Sequence, residues 1–148
     1  PNRNEGVLNM DNSLNTRFYI ETLIDIDPFK GCNNTPQLLI PPIDQACPGV
    51  AFFHNPGAFD PDGDSLSYEM VVPYSDRNLQ VANYRDPNSL SFYGSPNTAK
   101  EDVTGPPAFS IDPITGTIKW DSPSPTAIGE YNIAFVIKEW RRIRGVWY

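Results

Sequence analysis

Three carboxylates stand two residues apart in Asp60-Pro61-Asp62-Gly63-Asp64. Held that close, they repel one another unless something positive sits among them. Gly63 permits a turn in which the side chains at these alternate positions converge. Calcium takes about 6–8 oxygen donors at 2.3–2.6 Å, and this loop supplies several at once. It is not an EF-hand: the glycine comes too early, no Glu closes the loop, and strand-like residues follow. An acidic surface turn is the plainer reading of the same residues, because Asp-Gly is common turn chemistry.

Other reactive groups are sparse. The single histidine, His54, lies between Phe53 and Asn55 and reads as structural. No serine sits in a Gly-x-Ser-x-Gly context. A glycosidase-type carboxylate pair explains the clustered aspartates less well than a metal does, so no catalytic residue is assigned. Cys32 and Cys47 each adjoin turn residues, Gly31 to Pro36 on one side and Pro48-Gly49 on the other. A disulfide between them would staple a loop, contribute roughly 3 kcal/mol and imply an oxidising compartment. With two cysteines and one histidine, a structural zinc site of the usual kind cannot be assembled.

Aromatic faces are a second kind of chemistry. Tyr74, Tyr84, Phe92 and Tyr93 in the middle of the chain, or Trp140, Trp147 and Tyr148 near its end, would suit a carbohydrate platform. The alternatives are core packing and the pinning of a long loop. Eleven basic against eighteen acidic residues give a formal charge of −7, which leaves no general footprint for nucleic acid. Arg141, Arg142 and Arg144 read as a solvated hairpin. No apolar run is long enough for membrane insertion.

The elements that must position these groups are short strands. Sixteen prolines and ten glycines bar long helices and central strands, and eighteen aromatics argue against disorder by supplying buried area. The length of 148 residues fits one domain with a real core plus an extra segment. Opening on Pro1, the chain is expected to be part of something longer. Residues 1–36 read as an N-terminal arm, the end of a preceding module. Its first sixteen residues are polar and Asn-rich. Residues 17–27 place Phe18, Ile20, Thr22, Ile24 and Ile26 on one face and Tyr19, Glu21, Leu23, Asp25 and Asp27 on the other. That period of two predicts a half-buried strand, one that completes a neighbour's sheet or pairs along an edge of this domain. Asp25 and Asp27 are secondary candidates to join the acidic loop.

Residues 37–148 read as the main domain, with strands over 37–40, 50–54, 66–72, 108–111, 117–120 and 131–140. In 66–72, Leu66, Tyr68, Met70 and Val72 are expected to face inward. The long polar stretch 73–107 is expected to hide a short strand near 90–93. Asp112-Pro113-Ile114-Thr115-Gly116 makes a hairpin turn, which leaves Trp120 a core residue, and Arg144-Gly145 turns into a last strand beginning at Val146. No segment holds a 3.6-residue apolar period. This is an all-β pattern, an immunoglobulin-like Greek-key sandwich of about seven strands with an additional strand-bearing arm.

Three blocks carry a resemblance: Ala58-Phe59-Asp60-Pro61-Asp62-Gly63-Asp64-Ser65-Leu66-Ser67-Tyr68, then Phe109-Ser110-Ile111-Asp112-Pro113-Ile114-Thr115-Gly116-Thr117-Ile118-Lys119-Trp120, then Gly129-Glu130-Tyr131-Asn132-Ile133-Ala134-Phe135-Val136-Ile137. In order and spacing they resemble a cadherin-like domain of the dystroglycan type, over residues 37–140. His54-Asn55-Pro56-Gly57-Ala58-Phe59-Asp60 is further similar to modules of large Bacteroidota surface proteins, many of them gliding-associated or exported by the type IX route. The resemblance implies a non-catalytic, seven-stranded structural or adhesive module. Such modules are secreted or displayed at the cell surface, outer-membrane-associated, and stand among neighbouring modules in a tandem array or filament. It also implies calcium at the loop, held by Asp60, Asp62 and Asp64 with an acidic residue near the end of the last strand. That residue is Glu139 here, where the family more often has Asp. The inter-domain linker motif of cadherins is not found. The alternative is a carbohydrate-binding accessory module that engages surface glycans through Tyr74, Tyr84 and Tyr93.

Overall fold

Proline and glycine cut the chain into pieces, and the computed structural model, which describes residues 6–148, builds short antiparallel strands from them. In chain order they are β1 (Gln37–Leu38), β2 (Phe52–His54), β3 (Ala58–Phe59), β4 (Ser65–Val71), β5 (Tyr74–Asp76), β6 (Leu79–Gln80), β7 (Ala108–Ile111), β8 (Ile118–Asp121), β9 (Ala134–Trp140), β10 (Arg142–Ile143) and β11 (Val146–Trp147). Two 3-10 turns, Leu90–Phe92 and Pro96–Thr98, complete the set. The fold is all-β, as the sequence pattern predicts.

Two sheets form the body. β4 pairs with β9 along seven residue pairs, with Leu66 opposite Glu139, Tyr68 opposite Ile137 and Ser65 opposite Trp140. β8 lies between β2 and β7, with Phe52 and Phe109 both in register with Trp120. The facing residues are large and apolar. Ile118 is 1% exposed, and Tyr68, Trp120, Phe92 and Tyr93 are buried beside it. Trp120 meets Tyr131 edge-on at 4.9 Å and Phe109 at 5.9 Å, and Phe92 meets Tyr131 at 5.3 Å, all near perpendicular. Such pairs each add about 0.5–1.5 kcal/mol beyond area burial. Burial pushes the Tyr131 phenol up to about 12.

The β7–β8 turn closes as its residues predict. Asp112 Oδ1 accepts the N–H of Ile114 at 2.9 Å and of Thr115 at 2.7 Å. Those bonds hold its carboxyl below the ordinary value. Gly116 has φ +72°, and a Cβ there would lie 2.6 Å from the Tyr68 ring, so this glycine serves both the turn and the packing of the two sheets.

The start of the arm is built into the body. Asn9 is 0% exposed; its Nδ2 donates to Asn132 O at 2.6 Å, and its Oδ1 accepts Asn132 N–H at 2.9 Å. Leu8 N donates to Glu130 O at 2.8 Å, and Arg85 N to Asn9 O at 2.9 Å. Residues 1–5 of the arm lie outside the described residues.

The structure departs from expectation in four places. Residues 17–27 form no strand; they carry one β-bridge, Tyr19 to Tyr74. Ile20, Leu23 and Ile26 are 92%, 94% and 89% exposed. Alternation sets which side chains share a face, but it supplies no partner for the backbone. Residues 90–93 form a 3-10 turn ending at Tyr93 instead of a strand, with Tyr93 N bonded to Leu90 O at 3.2 Å. The β5–β6 hairpin was not anticipated; Asn78 supplies its left-handed turn at φ +60°. Cys32 and Cys47 are free and exposed, so the expected disulfide is absent. The C-terminal hairpin does form about Arg144-Gly145, closed by mutual backbone bonds between Arg141 and Tyr148 at 3.1 and 3.0 Å.

Candidate metal centre

The acidic loop joins β3 to β4. Asp60 organises it: its Oδ1 accepts the N–H of Asp62 at 2.8 Å and of Asp64 at 3.2 Å. Gly63, at φ +82°, allows the reversal. One oxygen of Asp60 is thus spent on the turn. The other, Oδ2, is buried and has no hydrogen-bond partner. A buried carboxylate oxygen without a donor is costly. It marks the place where a cation fits.

Two more carboxylates close around it. Asp64 arrives at the N-terminal end of β4, and Glu139 projects from β9 opposite Leu66. One oxygen each from Asp60, Asp64 and Glu139 lie within 4.8 Å of one another, the one such grouping of His, Cys, Asp or Glu among the described residues. Burial and then the charges of Asp60 and Asp64 push the Glu139 carboxyl above its ordinary value, against a hydrogen bond from the Asn33 side chain that lowers it. All donors are hard oxygens, close enough together to share one ion. These three residues are placed to hold a metal ion.

Asp62 does not join them. Its oxygens accept the backbone N–H of Asn34 at 2.6 Å and the Asn34 side-chain amide at 3.0 Å. Those bonds, with Arg141 beside them, hold its carboxyl low. Asp25 pairs with Lys30, and Asp27 accepts Phe29 N–H at 2.9 Å, so neither reaches the cluster.

Arg141 is the site residue that sequence reasoning missed. It is no solvated decoration: its Nε donates to Asp64 Oδ2 at 2.7 Å, and its Nη2 reaches both Asp64 and, at 3.2 Å, Asp62. Its Nη1 donates to Cys32 O at 2.6 Å and Lys30 O at 3.3 Å. One guanidinium therefore ties the acidic loop to the arm. The available signal was its spacing. Arg141 lies two residues beyond Glu139, which in an extended chain puts both on one face.

The aromatic candidates separate. Tyr93 faces no ligand: it is buried, its hydroxyl accepts Trp120 Nε1 at 2.9 Å and donates to Ser122 O at 3.1 Å. Within the loop 73–107, Phe92 and Tyr93 become core. Tyr84 is half-buried, and burial pushes its phenol up. Tyr74 is half-buried within β5. Ser65, Trp140 and Trp147 line instead a shallow, open and largely apolar surface patch. His54 is buried, with Nδ1 3.1 Å from Asp44 Oδ2 and Nε2 without a hydrogen-bond partner. No helix among the described residues is long and apolar enough to cross a membrane. No family model, no curated protein and no solved structure matches this chain.

Proposed function

We propose that this chain is a non-catalytic structural or adhesive module of a secreted or cell-surface protein, stiffened by calcium at the acidic corner and set among neighbouring modules in an array or filament. The observation that carries the reading is the buried, partnerless Asp60 Oδ2 facing Asp64 and Glu139. A hard divalent ion is the simplest group that satisfies all three carboxylates. Bound there, it would bridge the β3–β4 loop to β9 and so brace one end of the sandwich. The ion supplies no reaction in this reading; it neutralises charge and fixes geometry. Support for the module's class comes from the cadherin-like order of the three sequence blocks and from the packed two-sheet body. A thermal melt in calcium and in excess chelator tests it. Ligand linkage gives about 2.7 kcal/mol of added stability at a hundredfold excess over Kd. An unchanged melt would reduce the corner to an acidic turn.

Carbohydrate binding is the second reading, and the exposed Trp140 and Trp147, which line a shallow apolar patch, suit it better than the middle-loop tyrosines. Retention on glycan affinity gels that Trp147→Ala abolishes would establish it.

A further inference from the structure

The three-carboxylate cluster and Arg141 draw on the same carboxylate, Asp64. Asp64 Oδ2 already accepts two N–H groups of Arg141. The guanidinium cannot give up its charge. Its side chain is 18% exposed and that of Asp64 11%, so water screens their contact only in part. An ion entering beside Asp60 Oδ2 meets a positive charge in residence.

We propose that Arg141 sets the affinity of the cation site: it is a built-in counter-charge that neutralises the acidic corner in the empty state and holds divalent binding weak. This rests on the cation reading above. Asp60, Asp62, Asp64 and Glu139 carry four negative charges and Arg141 one positive, which leaves −4 + 1 = −3 around the site. A divalent ion brings that to −1. Without Arg141 the same ion would meet −4, and Asp64 would have both oxygens free. Charge count and rigidity tune such sites from buffers to extracellular modules, the latter at about 10⁻⁴–10⁻³ M. Arg141 places this site at the weak end, where it answers to calcium outside cells.

Arg141 is a positioning residue by this account, not an ion ligand, and the test separates its charge from its shape. Calcium is titrated calorimetrically into the whole chain and into Arg141→Gln, Arg141→Lys and the double variant Arg141→Gln/Asp62→Asn. Arg141→Gln is expected to bind at least tenfold tighter, and Arg141→Lys, which keeps the charge, near the original affinity. The double variant removes one charge of each sign and keeps the net charge while releasing Asp64 Oδ2 from the guanidinium; it too is expected to bind tighter. It carries the test if Arg141→Gln alone does not fold. Unchanged or weaker binding in the folded glutamine variants would overturn the proposal while leaving the cation site intact. Absence of calcium binding in every chain would overturn the cation reading itself, and this one with it.

Discussion

The two ends of the sandwich are held by opposite physics. Around Trp120, rings and aliphatic side chains are buried, with Trp120 Nε1 bonded to Tyr93 and Tyr93 to Ser122. Around Asp60, four carboxylates gather with one guanidinium that pairs only with Asp62 and Asp64, and one buried oxygen of Asp60 has no partner. The aromatic end is complete as it stands. The acidic end is stable in proportion to what the solution offers it. The difference teaches where to look for response: ions should act at one end and leave the other unmoved.

The largest test strikes the core. Trp120→Ala is expected to cost about 3–5 kcal/mol, and the loss measured by urea unfolding should be the same with calcium or chelator. Gly116→Ala comes next. It forces a side chain into a left-handed backbone position and against Tyr68, for about 1–3 kcal/mol, again without regard to ions. An effect of calcium on either penalty would dissolve the contrast between the ends.

Glu139→Gln tests the other end. Because the Glu139 carboxyl sits above its ordinary value, the folded state favours its protonated form. Its contribution to stability is therefore present below that ordinary value and is lost as pH rises through the raised one. Asp62 and Asp112 run the other way. Their carboxyls are held low by hydrogen bonds, so their contribution is present above the ordinary value and lost as pH falls through the lowered one. In chelator at neutral pH, Glu139→Gln should melt higher than the parent chain, and added calcium should no longer raise it. A lower melt in chelator would show that Glu139 is not under charge strain. The smallest expected effect is local. Arg141→Lys loses the planar fork, and hydrogen exchange at the Asn34 amide should quicken while exchange in β8 stays put.

Much of the body was legible from residue order. The alternation in 66–72 and 131–140 gave the β4–β9 pair, and Asp112 to Gly116 gave the β7–β8 turn, because both depend on neighbours close in sequence. Two of the three loop carboxylates, Asp60 and Asp64, meet Glu139. What escaped depends on distant partners. Asp62 looks equivalent to Asp60 and Asp64 until Asn34 arrives from the arm to take it. Tyr93 looks exposed in a polar loop until that loop lies down on Trp120. Residues 17–27 have the right alternation, yet they build no strand and carry one β-bridge, Tyr19 to Tyr74. Asn9 is the converse case, a polar residue in a polar stretch that is fully buried because Asn132 answers both ends of its amide.

The uneven burial of the three tryptophans has a spectroscopic consequence. Trp120 is shielded and its indole N–H is bonded within the protein, whereas Trp140 and Trp147 are 41% and 53% exposed. Native emission is therefore a sum of a blue component from Trp120 and a red one from the other two. A water-soluble quencher removes the red part first and leaves Trp120 as a reporter of the aromatic end. Trp140, whose Nε1 donates to Ser67 at 2.7 Å and whose neighbours in β9 and beyond are Glu139 and Arg141, reports on the acidic end. The chain carries an optical label at each pole without any dye having been attached.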